Sequence, residues 1–532
     1  MSVSVAATSS RHDADADASA GGPPVRDRSA VARVAIATVV AAGLALRTWT
    51  STPMWLDEAL TVNISSVGLG DLRGALEQDG APPLYYVLLA GWMNAFGTSD
   101  VAVRLLSALF SAATLPLAFM MGRRRGGAVV GIAALVLLAT SPFAIRYATE
   151  ARMYSLVALL ASAGWIALVN VLDDRRPRIG WTIASGAIAG LLLLTHYWSF
   201  YLVGATGLAL LVTAWRRPDK RPVALRAAGA IGVGSVVLFA PWLPTFLSQM
   251  RHTGTPWGVP PGPVEVAFTT LVDFGGGPKP EGQALAAVLA GLAVLALLGR
   301  AIDSRRIELD LRTVAGVRAD FAVAATALLV GVLVGFATDS AWASRYTSIA
   351  FPLVILVAAY GLRSFADRRL VAVVLAVASL LGLAGGARNA VAARRTQAEQ
   401  VIHAMEQAGA APGDVVVYCP DQLGPDVHRA LPEGFEHYTF PDLADPRLVN
   451  WVDYGERMRA ADPAAFAAAV LERAKGKNIF YVWMPGYRTL EKSCERVNDA
   501  LGNARPGNRQ LLDPDTDYFE RQALWYHPAS AP

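Results

Sequence analysis

Apolar runs recur along this chain from Val31 to Ala387, and they constrain its fold more than any other feature. Each is about 17 to 25 residues long, the length a helix needs to cross the hydrocarbon of a bilayer. Inside hydrocarbon every backbone N–H and C=O must be paired within the protein, so the spanning options are helices or a closed barrel. Runs of this length select helices. The chain is 54% hydrophobic and only 17% charged, where a water-soluble domain carries roughly a quarter charged residues. From Arg388 onward charges, Pro and Asp become common and no further run is long enough to span. The expected fold is therefore an α-helical polytopic membrane domain over residues 31–387, followed by a water-soluble domain over 388–532. Residues 1–30, with "RHDADADASAGGPPVRDRS", are polar and low in complexity and read as a disordered tail.

Basic clusters punctuate the runs at Arg26/Arg28/Arg33, Arg123–Arg125, Arg175/Arg176/Arg178, Arg216/Arg217/Lys220/Arg221, Arg300/Arg305/Arg306 and Arg363/Arg368/Arg369. The positive-inside rule assigns all of them to the cytoplasmic side. About eleven spans satisfy that pattern, near 31–49, 103–121, 128–144, 153–171, 180–195, 199–215, 227–247, 284–299, 320–337, 347–362 and 370–387. The N-terminus is then inside and the C-terminal domain outside. A twelfth apolar segment, Ala81–Gly97, would invert every later cluster. It reads as an amphipathic helix in the outer interface, with Tyr85, Tyr86 and Trp92 at headgroup level. Because the basic residues are dispersed among short loops, the net charge of +4 does not describe a nucleic-acid surface.

The chemistry-bearing residues collect in the loops assigned to the outer face. "TPMWLDEALTVNISS" (Thr52–Ser66) places Asp57 and Glu58 side by side just after the first span. They read either as the start of a short helix, Asp57 capping it, or as a general base and a neighbouring acid or metal ligand. "RYATEARMYS" supplies Arg146, Glu150 and Arg152, a helical ion pair or a guanidinium clamp for phosphate. "LTHYWSFY" supplies His196 and Tyr197, and "WASRYTSIAFP" supplies Arg345 and Tyr346. Arg104 opens another span. Glu58 and His196 form a candidate set for a divalent metal ion, the one cofactor these residue types suggest. No phosphate-binding glycine loop, dinucleotide fingerprint or paired CxxC occurs.

Read together, "WLDEA", the "PPLYYVLLAGWMNAFG" segment with its following Arg-Leu span, "RYATEARMYSL", "THY" and "SRYTSIAFPLV" resemble the GT-C class of membrane glycosyltransferases. The nearest resemblance is to glycosyltransferase family 39, the protein O-mannosyltransferase and aminoarabinose-transferase group, over residues 31–387. The resemblance implies a polyprenyl-phosphate sugar as donor and an acceptor that is a glycan, a lipid or a protein. It implies transfer on the outer leaflet, usually with inversion, by a multi-pass protein embedded in membrane lipid; the richness in Ala, Gly and Arg points to a bacterium and hence to its inner membrane. By the same resemblance Asp57 is the catalytic base and Glu58 the neighbouring acid. Arg104 and Arg345, and more loosely Arg146 and Arg152, are donor-phosphate ligands, with Glu150, His196, Tyr197 and Tyr346 around the substrate. The chain departs from the protein mannosyltransferases in lacking their large lumenal insert and in carrying a C-terminal domain.

That domain reads as alternating helix and strand. "DVVVYC" and "NIFYVWMP" are buried strands, and "RRTQAEQVIHAMEQAG", "DPAAFAAAVLERAKG" and "LEKSCERVNDALG" are helices, the last ended by Gly502. A small α/β layer with a parallel sheet is expected, with acceptor binding or a partner surface as its role. Cys419 and Cys494, the two cysteines of the chain, are either a disulfide or two buried thiols. The competing function class is a transporter or flippase of lipid-linked sugar. Such a protein would show repeats and broken helices near the midplane, whereas the ionisable residues here gather at one face.

Overall fold

The computed structural model describes residues 28–173, 178–255, 258, 262–314, 316–486, 490 and 492–529. The expected N-terminal disorder up to residue 27, and the cluster residues Arg26, Arg175 and Arg176, lie outside them. The described residues up to Thr38 belong to one unit and those from Val39 onward to a second.

Among the described residues, eight helices are long and apolar enough to cross a membrane. The longest, Asp100–Thr140, carries non-helical backbone at Gly126 and Gly127, so it is two consecutive spans. Gly127 takes a φ of 80°, a conformation that costs a glycine little, directly after Arg123–Arg125. The shorter apolar helices Ile179–Leu193 and Phe351–Gly361 complete the set. Most expected runs thus fall on one helix or helix half, while 227–247 continues through a 3-10 turn into the helix Leu243–His252 and 128–144 crosses the break at Ser141.

The helix Leu84–Phe96 forms where an interfacial helix was expected, but its tyrosines do not face headgroups. Tyr85 and Tyr86 are fully buried. The Tyr85 hydroxyl is 2.8 Å from Ser107 Oγ, and Tyr86 donates to Asp79 at 2.9 Å. A phenol buried in protein needs such a partner, and these polar residues lie on neighbouring segments that the sequence does not mark as adjacent. Trp92, half-buried, donates to the Ala102 carbonyl.

A short hairpin, β1 (Gly299–Ala301) and β2 (Ile307–Leu309), fills a loop that carried no expected strand. The C-terminal domain holds a five-stranded sheet made of β3 (Val415–Cys419), β4 (Glu436–Thr439), β5 (Ile479–Trp483), β6 (Arg509–Leu512) and β7 (Ala523–His527). Their order is β4-β3-β5-β7-β6. β3 pairs parallel with β4 and β5, but β7 runs antiparallel to both β5 and β6. The sheet is therefore mixed, not parallel. Its parallel centre is the part that read as continuous apolar strands. Helices Ala398–Gln407, Pro463–Arg473 and Ser493–Ala504 match the expected ones, although the last runs past Gly502. Asp462 caps the second by accepting from the Ala464 and Ala465 amides. Cys419 and Cys494 are joined in a disulfide.

Candidate active site

The helix Leu56–Ser65 carries both acids of the first loop. Asp57 does not cap it. The N-cap position is Trp55, whose own side chain makes no cap bond. Neighbouring helical residues point about 100° apart, so the two carboxylates enter different environments.

Glu58 turns inward and is fully buried. Arg104 meets it with two parallel bonds, Nε to Oε1 and Nη2 to Oε2, each 2.7 Å. The Ala151 amide donates to Oε1 at 2.9 Å and Arg395 Nη1 to Oε2 at 3.3 Å. Burial pushes the Glu58 carboxyl upward, but Arg104, Arg395 and the Ala151 amide outweigh it and hold the group below the ordinary carboxylate range. Four donors occupy the roughly four lone-pair directions of a carboxylate, so Glu58 has none left for a metal ion. Among the described residues no three His, Cys, Asp or Glu side chains converge as a metal set. The pairing of Glu58 with His196 as metal ligands does not fit this geometry.

Arg104 is likewise committed. Besides Glu58 it donates to the Thr52 carbonyl at 2.8 Å and the Pro53 carbonyl at 3.2 Å. It braces the first loop instead of facing a phosphate, because a buried arginine this close to a buried glutamate is satisfied by it. Glu150, expected against substrate, is buried in the same network, 3.4 Å from Arg146 Nε and 3.4 Å from Arg395 Nη1.

Asp57 turns the other way. Its Oδ2 lies 3.3 Å from Arg345 Nη2 and 3.6 Å from Arg152 Nη2, and it accepts no hydrogen bond among the described residues. Arg152 is anchored by bonds to Thr61 Oγ1 at 2.8 Å and the Asp57 carbonyl at 3.2 Å. The Arg345 guanidinium lies over Trp55 at 5.5 Å and over Tyr346 at 5.8 Å. His196 packs beside Tyr346 with ring centroids 5.4 Å apart, and its Nδ1 accepts the Trp198 amide. Burial, then Arg152 and Arg345, depress the imidazole to about 3, so His196 is neutral. Tyr197 is not in this group. Its hydroxyl donates to Gln249 and accepts from Trp242, fastening the helix Leu243–His252 instead.

Arg146 and Arg345 line a cavity of about 180 Å³ with Trp55, Arg394, Arg395 and Phe519. Four guanidinium-bearing residues and two large rings suit an anion attached to something apolar. Arg345 joins this cavity to Asp57. Sequence reasoning missed Arg394, Arg395 and Phe519. The two arginines stand in "AARRT", just past the last span, and read there as part of a soluble helix. The contact of Arg395 with Glu58, 337 positions away, has no local signature.

Residues 80–244 match the model of the family described as dolichyl-phosphate-mannose-protein mannosyltransferase. No curated protein matches the chain by sequence. In structure the chain is similar to ArnT from Cupriavidus metallidurans bound to undecaprenyl phosphate, at TM-score 0.60 and 14% identity over 95% of this chain and 100% of that one. It is similar also to the apo form of ArnT from the same organism, at TM-score 0.62 and 14% identity over 94% and 99%. The likeness at this identity establishes the fold, C-terminal domain included. Together the two comparisons give this chain the fold of ArnT and, over residues 80–244, a likeness to the dolichyl-phosphate-mannose-protein mannosyltransferase family.

Proposed function

We propose that this protein is a polyprenyl-phosphate-sugar-dependent glycosyltransferase that moves a sugar such as mannose or a related hexose or pentose to an acceptor hydroxyl. The acceptor is a glycan, a lipid or a protein. Transfer takes place on the outer face of a bacterial inner membrane, with the N-terminus inside. The observation that carries this reading is the position of Asp57, which touches Arg345 while Arg345 also lines the arginine-rich cavity. The donor phosphate fits that cavity beside Arg146, Arg345 and Arg394, and its prenyl chain continues into the bilayer. The ArnT structure holding undecaprenyl phosphate supports a ligand of this chemistry.

The reaction follows from charge. The acceptor oxygen attacks the anomeric carbon from the face opposite the phosphate. The new C–O bond forms as the bond from carbon to phosphate oxygen breaks, so the configuration inverts and polyprenyl phosphate leaves as an anion. Preorganised guanidinium groups stabilise the charge that develops on the leaving oxygen. Bound phosphate competes with Asp57 for Arg345, which frees the carboxylate to take the acceptor proton. Neutral His196 and Tyr346 form the wall beside it. No step is routed through a divalent ion, since Glu58 has no coordination capacity left.

Purified protein incubated with polyprenyl-phosphate sugars is expected to release polyprenyl phosphate. Asp57→Asn should lower transfer by about 10²–10⁴-fold, the usual contribution of a general base, while leaving expression intact. Transfer at the wild-type rate by that variant would remove the base assignment. Donor release by no candidate sugar would favour a carrier of lipid-linked sugar instead.

A further inference from the structure

The amide at the start of the catalytic helix is satisfied from the far end of the chain. Both carboxylate oxygens of Glu520 accept the Leu56 N–H, at 3.1 and 3.2 Å. The first amides of a helix have no partner within it, so an oxygen placed here satisfies one of them. Leu56 directly precedes Asp57. The neighbour of Glu520, Phe519, packs edge-on against Trp55, the residue before Leu56, with centroids 5.6 Å apart. Residues 519 and 520 therefore hold residues 55 and 56 by a ring and a carboxylate, at the point where the helix presents Asp57.

Glu520 is itself fixed by the segment that leaves the last span. Its amide donates to the Arg395 carbonyl at 2.8 Å, and its carbonyl accepts from Gln397 at 3.2 Å. The Arg395 side chain reaches Glu58 and Glu150. One short ladder thus secures both acids of the first loop, Glu58 through Arg395 and the backbone before Asp57 through Glu520. The position is an expensive one for an acid: Glu520 is buried near Asp426, Asp57 and Glu58, which with burial favour its neutral form. Asp426 is engaged separately, by Thr396 Oγ1 and Gln522 Nε2.

We propose that Glu520 is a positioning residue of the transferase reaction, contributed by the C-terminal domain to fix the approach of Asp57 to the acceptor hydroxyl. The proposal rests on the reading of Asp57 as base. It assigns the C-terminal domain a part in catalysis besides any in acceptor binding.

The test uses the full chain in detergent or nanodiscs, with donor turnover by wild type and Asp57→Asn measured first. Turnover by wild type but not by Asp57→Asn secures the reading of Asp57, whatever Glu520 does. Glu520→Ala is then expected to lower kcat about 10- to 100-fold, the scale of a misplacement near 1 Å, with the donor KM changed less than about threefold. Glu520→Gln, which retains an oxygen to accept the Leu56 N–H, should recover most of kcat. Where Glu520→Ala does not accumulate, Glu520→Gln and Phe519→Ala carry the test, with near-wild-type kcat expected for the first and a several-fold loss for the second. Full kcat in Glu520→Ala overturns the proposal. So does Glu520→Gln being as impaired as Glu520→Ala, full kcat in Phe519→Ala, or a loss confined to KM.

Discussion

Asp57 and Glu58 share a peptide bond but not a role. In sequence they read as a pair. In the fold one faces two guanidinium groups at a cavity and the other disappears into a buried ion network. The cost of breaking that network is predictable. Removing one partner of a buried pair leaves an uncompensated charge and typically costs about 3–5 kcal/mol. Arg104→Ala should therefore lower the melting temperature sharply, and Arg104→Lys should not restore it, since a lysine cannot supply two parallel donors. A thermal melt in detergent measures both. The site was legible in part because Asp57, Arg152, Arg345, His196 and Tyr346 lie in loops or at the ends of spans, where a charge or ring is conspicuous. Arg395 and Glu520 were not legible. Each sits in a soluble-looking segment where charge is ordinary, and what distinguishes it is a contact more than 300 positions away in the chain.

At the scale of elements, hydropathy located the spans because each must satisfy its own backbone in hydrocarbon. It gave no information on which spans touch. The helices Ile179–Leu193 and Arg221–Phe239 pack backbone to backbone at Gly186, Gly190 and Gly234. A methyl placed on Gly234 would lie 2.1 Å from the Gly186 carbonyl oxygen. Small residues permit this approach, which is a principal source of helix association in lipid. Gly234→Leu should therefore reduce yield and melting temperature. Gly232→Ala, on the same helix with open space around it, should behave as wild type. The strand β6 escaped notice because a half-exposed strand that opens on Arg and Gln lacks the apolar run that marked β3 and β5. The helix Leu84–Phe96 was found, but its buried side depends on Ser107 and Asp79 and could not be read from its own residues.

For the whole molecule, stability depends on pH through buried carboxyl groups. Asp421 is buried in the C-terminal domain, where burial raises its carboxyl to about 7 against the downward pull of the Tyr454 hydrogen bond and Arg457. An acid whose folded affinity for protons exceeds its unfolded one binds more protons when folded between about 4 and 7, so its contribution to stability falls as pH rises through that window. Asp421→Asn should then raise the melting temperature at pH 8 relative to wild type and flatten the difference between pH 5 and pH 8. Glu58 acts oppositely. Its carboxyl is held low, so its contribution is present above about 4.5 and disappears on acidification below that value. A melt series across pH, run on wild type and Asp421→Asn, separates the two.

Since both cysteine sulfurs of the chain are consumed in the Cys419–Cys494 link, the native protein offers no free thiol for a maleimide to alkylate. A single cysteine introduced at any loop is thus a unique chemical handle without prior engineering of a cysteine-free background. Membrane-impermeant labelling of intact cells at such positions reads out, loop by loop, which side of the bilayer each one occupies.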